Sequence, residues 1–193
     1  YTLPFIIEYV FLQLTDFVDT TLSSHVNEST IVGVSTMVLI IIVIRIFSKV
    51  MASTNEILIS RIYGKNHNDD SVNVVTYNSL FLSIIINGLA CVLVFAFSNK
   101  IINVMGLTEN AFIVSKNYLN IRIIGCLFVP FEQIIQSRLK VIDKHKEVTI
   151  SKITYTILNI IGDTIAVIYG YGAIGIAVST VLCELMEVII LLI

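Results

Sequence analysis

The chain has 193 residues, of which 56% are hydrophobic and 13% charged, with a formal net charge of −2. Soluble domains carry about 25% charged residues, so half that share, spread over long apolar runs, indicates an all-α membrane protein with many crossings. The small net charge excludes nucleic acid as a partner, and the first apolar run is too long and too polar within to read as a signal-peptide core.

Six membrane helices are predicted in chain order, over residues 3–24, 30–62, 72–97, 111–137, 148–169 and 173–193. The first carries Pro4, Glu8, Gln13, Asp16 and Asp19. The second exceeds the roughly 20 residues that cross a bilayer, so it tilts or projects beyond the membrane. A polar turn over 63–71 precedes the third. A loop through Ser98, Asn99 and Lys100, a short amphipathic piece and a turn at 106–110 lead to the fourth, where Pro130 predicts a kink. The basic loop 138–147 precedes the fifth helix, and Gly170-Tyr171-Gly172 turns the chain into the sixth. Residues 1–193 thus read as one six-transmembrane-helix bundle. The chain opens inside a helix without an initiator Met and stops inside an apolar run, so a fragment or one lobe of a longer protein is expected.

Of the twelve Lys and Arg residues, Arg61, Lys65, Arg138, Lys140, Lys144, Lys146 and Lys152 fall on one side of this topology, and Lys100 and Lys116 on the other. That asymmetry predicts a cytoplasmic N-terminus, in a multi-pass protein of the plasma (cytoplasmic) membrane. Cys91, Cys126 and Cys183 lie in apolar runs without ligand spacing. His25, His67 and His145 are scattered, so no metal site is expected. Asn27-Glu28-Ser29 matches a glycosylation sequon too short to weigh.

The informative residues are the polar ones inside the apolar runs. An ionisable group deep in a membrane helix costs about 2.5–3.5 kcal/mol on insertion scales, so it faces a cavity or a partner. In the fifth helix, Lys152, Tyr155, Asn159 and Asp163 recur at three- and four-residue steps, one stripe of a helix. In the first, Thr15 and Asp19 are one turn apart, and Asp16 borders the same face. Thr180, Glu184 and Glu187 repeat the spacing in the sixth. Two carboxylates brought together in a low-dielectric hollow hold protons tightly and cannot both stay charged cheaply. Asp19 and Asp163, each with a polar neighbour one turn away, are therefore the candidate H⁺ or Na⁺ site, with no other cofactor and no catalytic residue expected. Arg45 and Lys49 either pair with acids across a cavity or anchor the second helix at the membrane boundary. Glu132, Gln133 and Gln136 are placed to line a cytoplasmic vestibule, and Glu184 and Glu187 to snorkel near a helix end.

Four segments carry a family resemblance: Leu3-Pro4 with Phe17-Val18-Asp19-Thr20, the turn Tyr63-Gly64-Lys65-Asn66, Leu158-Asn159-Ile160-Ile161-Gly162-Asp163, and the run from Gly172 to Thr180. Together they resemble the N-terminal lobe of the multidrug and toxic-compound extrusion (MATE) family. The resemblance implies two six-helix lobes, so a C-terminal lobe of the same protein is an expected partner, beside membrane lipid and a small-molecule substrate. It implies export of amphipathic compounds in exchange for H⁺ or Na⁺, Asp19 and Asp163 as the cation-binding carboxylates, and Asn159, Thr180 and Tyr118 as their neighbours. Pro4 would be the hinge of the first helix. From their positions in the apolar runs, and apart from the resemblance, Asp16, Tyr155, Arg45, Lys49 and Gln136 are further candidates to line the cavity. The chain departs from the family at Leu22-Ser23-Ser24-His25, at Arg45 and Lys49, and in the loop Lys140-Val141-Ile142-Asp143-Lys144, which lacks a glycine.

The rival reading is a lipid-linked oligosaccharide flippase of the same superfamily, which lines its cleft with basic residues; Arg45, Lys49 and Arg122 speak for it, and the Asp19, Asn159 and Asp163 set against. An intramembrane aspartyl protease needs a Gly-x-Gly-Asp pattern that Ile160-Ile161-Gly162-Asp163 lacks. A helix-packing subunit would tolerate loss of both acids.

Overall fold

The computed structural model describes the backbone of residues 2–66 and 69–193, with side chains for all of these except residues 2–9, 12, 13, 16, 66 and 69. Seven helices are formed by the described residues: α1 (Thr2–Ser24), α2 (Glu28–Asn66), α3 (Asp69–Val104), α4 (Glu109–Cys126), α5 (Val129–Val141), α6 (His145–Ile168) and α7 (Gly172–Leu192). The fourth expected helix is two, α4 and α5, bent by 40° at the break. Pro130 has no N–H to give the carbonyl four residues earlier, that of Cys126. Asn87 of α3 supplies the missing donor, its Nδ2 reaching the Cys126 oxygen at 2.6 Å. The Asn87 Oδ1 in turn accepts from Ser48 Oγ of α2 at 3.1 Å, so one amide fastens the break to two other helices.

The expected loop at Ser98–Lys100 is helical instead. Ser98 Oγ donates to the Phe95 carbonyl at 2.8 Å, which keeps its polar group within the helix, and Ile101 and Ile102 carry α3 on to Val104. Gly106, at φ +65°, then supplies the left-handed turn out of α3. The second helix likewise runs beyond its expected ends. Asn27 caps its start, accepting the Thr30 N–H at 2.7 Å.

α2 packs against α3, α4 and α5, while α6 lies between α1 and α7, and α7 closes the bundle against α4. The apolar core is built from Val34, Met37, Ile41 and Ile44 of α2 with Tyr118, Leu119, Ile123 and Ile176. Large apolar side chains such as Phe17, Leu39, Phe81, Leu89 and Leu182 point outward, as lipid requires. Among the described residues α2, α3 and α7 are long and apolar enough to cross a membrane, and the bent α4–α5 pair makes a fourth span. Among the described residues α6 does not reach that measure. Polar side chains on α6 occupy its inner face instead, from Ser151 to Asp163, where other helices rather than lipid receive them.

Candidate functional site

Helical spacing decides which side chains meet between α1, α6 and α7. Thr15, Asp19 and Ser23 form the buried edge of α1. Thr156, Asn159 and Asp163 do so on α6, and Thr180, Cys183 and Glu184 on α7. Asp19 is 1% exposed and Asp163 0%. The Thr180 hydroxyl joins the three helices: it accepts from Asn159 Nδ2 at 3.2 Å, and its single proton lies between the Ile176 carbonyl at 2.9 Å and Asp19 Oδ2 at 3.5 Å. α1 is held to α6 by further long contacts, Thr15 Oγ1 to Thr156 Oγ1 at 3.4 Å and Thr156 Oγ1 to the Phe11 carbonyl at 3.5 Å.

Asp163 has Asp19, Asn159 and Ser179 as neighbours. No hydrogen bond of good geometry reaches either of its oxygens, nor the Asn159 Oδ1 and Ser179 Oγ beside it, although Asp19, Ser179 and Asn159 all lie within hydrogen-bonding reach of the carboxylate. Buried acceptors are satisfied in the great majority of cases, and one that is not calls for an ion, a water or a functional account. Ser179 comes this close because residue 162 is glycine; a Cβ there would collide with the Ser179 hydroxyl. The site is thus a set of oxygen atoms from α6 and α7 beside two carboxylates, deficient in positive charge. Such a set can hold a proton or a hard cation.

A second polar cluster lies further along the same helices. Arg122 Nη1 of α4 meets Glu184 Oε1 at 2.9 Å, and Arg45 Nη2 of α2 lies 3.6 Å from Glu184 and 3.5 Å from Glu132 of α5. Lys152 Nζ of α6 bonds Glu132 Oε1 at 2.8 Å and Glu187 Oε1 at 3.0 Å. Gln136 Nε2 donates to Glu187 Oε1 at 3.0 Å. Three cations face three carboxylates, so this cluster is neutral. Glu184 fits against α4 because residue 125 is glycine, where a Cβ would strike the Glu184 carboxylate.

The structure therefore brings Asp19, Asn159, Asp163 and Thr180 together. Tyr118 is fully buried, but in the apolar core beside α2. Tyr155 stacks under Lys152, whose Nζ is 5.1 Å from the ring centre. Arg45 and Gln136 belong to the ionic cluster, whereas Lys49 is exposed on α2. The Pro4 and Asp16 side chains lie outside the described residues. Glu184 and Glu187 do not snorkel to a helix end: both are buried in ion pairs. Ser179 and Thr156 were not singled out from sequence, because a hydroxyl in a membrane helix carries no periodic signal that separates a cavity face from a packing face.

The MatE family model matches residues 4–165. Among solved structures, a MATE transporter in a bent conformation superposes with a TM-score of 0.84 at 18% identity, covering 98% of this chain and 42% of that one. An inward-facing multidrug resistance MATE family transporter of the MOP superfamily gives 0.85 at 17% identity, covering 97% and 44%. A MOP superfamily transporter from Pyrococcus furiosus Vc1, described as having a binding pocket of reverse polarity, gives 0.84 at 18% identity, covering 97% and 42%. The chain spans less than half the length of these structures. Comparison with curated proteins finds no match.

Proposed function

The chain belongs to the MatE family, and from that premise we propose that it forms the N-terminal lobe of a cation-coupled exporter of amphipathic small molecules. It is an integral, multi-pass membrane protein. In this reading Asp19 and Asp163 hold the coupling H⁺ or Na⁺, with Asn159, Thr180 and Ser179 as neighbours and a second lobe of the same protein facing this one. The N-terminus lies in the cytoplasm, and the membrane is the plasma membrane.

One observation carries the reading. Asp163 is wholly buried in hydrogen-bonding reach of a second buried carboxylate, no hydrogen bond of good geometry satisfies its oxygens, and among the described residues no Lys, Arg or His lies within ion-pair distance of it. A bare charge in that position is prohibitive. A bound cation removes the penalty, and its departure restores it, so the occupied and empty states differ in free energy by an amount that can be coupled to a change of shape.

In this reading α1 is the element that responds. Loss of the cation leaves two carboxylates opposed across α1 and α6, where the hydroxyl contacts Thr15–Thr156 and Thr156–Phe11 are long, at 3.4 and 3.5 Å. Arg45 and Arg122 are engaged by Glu132 and Glu184, which favours the exporter over the flippase reading, since ion-paired guanidiniums offer a phosphate no surplus positive charge.

The test is efflux of a cationic dye by the full-length protein in inverted vesicles under imposed H⁺ and Na⁺ gradients. Asp163→Asn and Asp19→Asn should each abolish gradient-driven efflux. Wild-type rates in either variant remove that residue from coupling.

A further inference from the structure

We propose that the Arg122–Glu184 ion pair sets the cation affinity of the Asp19–Asp163 site, the two residues acting as positioning groups for charge and not as ligands. The inference rests on reading the acid pair as a cation site and extends it to the ionic cluster. Glu184 is one turn from Thr180 on α7, about 6 Å along the axis, and Thr180 reaches both Asp19 and Asn159. A unit charge at that separation, inside a protein, is felt strongly.

The pair is not built as an optimal strut. Arg122 touches Glu184 through Nη1 alone, at 2.9 Å. Arg122 Nε and Glu184 Oε2 are both buried without a hydrogen-bond partner, although a guanidinium can engage a carboxylate through two parallel bonds. By contrast Lys152 is bonded to both Glu132 and Glu187, and Gln136 adds a third donor. A buried ion pair is on average no better for stability than an apolar pair of similar volume, so packing alone does not account for its retention beside the acid site.

The charged and titratable groups facing Glu184 are Arg122 and Cys126 of α4, Arg45 of α2, Tyr155 of α6 and Cys183 of its own helix. With all six members of the ionic cluster charged, their sum is zero, and the field of Arg122 at Asp163 is offset by that of Glu184. Removing Glu184 leaves the cluster at +1, which repels the coupling cation. Removing Arg122 leaves it at −1, which attracts it. A purely structural pair predicts no such reversal, since loss of either partner loosens the same contact.

The experiment measures Na⁺ binding at alkaline pH and proton uptake in Na⁺-free buffer on purified full-length protein. Glu184→Gln should weaken cation binding about tenfold and Arg122→Gln strengthen it about tenfold, with the double substitution between them. Shifts in the same direction, or none in either variant, overturn the proposal. If either single variant fails to fold, Arg45→Gln gives the reading: its partly exposed guanidinium, 3.6 Å from Glu184, leaves a less desolvated gap, and its removal should strengthen binding. An Arg45→Gln protein with unchanged or weaker binding overturns the proposal equally. Asp163→Asn separates the two ideas. If it retains wild-type cation binding, the site reading itself falls; if it loses binding while Glu184→Gln and Arg122→Gln shift together, only the present inference fails.

Discussion

The acid pair and the ionic cluster are both buried and share α6, and they differ in charge balance: the cluster has as many cations as carboxylates, whereas among the described residues no Lys or Arg lies within ion-pair distance of Asp163. A neutral cluster needs nothing from outside. A buried carboxylate beside a second one gains from taking up a cation. The ionic cluster ties α2, α4, α5, α6 and α7 with contacts as short as 2.8 Å, whereas the hydroxyl contacts of α1 with α6 and α7 are 3.4 and 3.5 Å. One half of the interior is an ion-paired base, and the other is the candidate binding site.

The sharpest way to break that contrast is Lys152→Met, which leaves Glu132 and Glu187 facing each other without their shared cation. Removal of one partner of a buried pair costs about 3–5 kcal/mol, so thermal unfolding of the full-length protein in detergent should shift strongly downward. An unfolding midpoint equal to wild type would show that the cluster is not a base at all. Gly125→Ala should come next, at about 1–3 kcal/mol for overpacking. The new methyl displaces the Glu184 carboxylate and presses on Val181, where the added Cβ would lie 2.9 Å from the Val181 Cγ2, and the same assay reads it.

Thr180→Val is smaller in stability, about 1 kcal/mol for one net hydrogen bond. It should nevertheless weaken Na⁺ binding or proton uptake several-fold, because it unfastens Asp19 and Asn159 together. Asp163→Asn is the reverse of Lys152→Met: it removes an uncompensated charge, so unfolding should move slightly upward, by about 1 kcal/mol or less, while gradient-driven efflux is lost. Lys49→Gln, at an exposed position outside both clusters, should change neither unfolding nor binding.

Much of this organisation was legible in the sequence. The apolar runs announced the helical class and the order of the helices, since a lipid environment admits few alternatives to helices, but not their number: the fourth expected helix is two, α4 and α5. The three- and four-residue spacing of Lys152, Tyr155, Asn159 and Asp163 put them on one face. The kink at Pro130 was equally readable, because a proline's missing donor is a local property. The donor that replaces it was not: Asn87 is 39 residues from Cys126, and nothing in either segment announces the other.

Periodicity says which residues share a helix face, and it determined here that acids would be buried and would need partners. It cannot say which partner each acid meets, because that depends on how helices distant in sequence are rotated against one another. Glu184 and Glu187 carry the same sequence signal as Asp163, yet tertiary packing delivers Arg122 and Lys152 to the former and, among the described residues, no ion-pair contact to the latter. The difference between a strut and a binding site is therefore a difference in neighbours, set by ångström-scale approaches such as those at Gly125 and Gly162. Charge was written in the chain; its compensation was decided only when the helices came together.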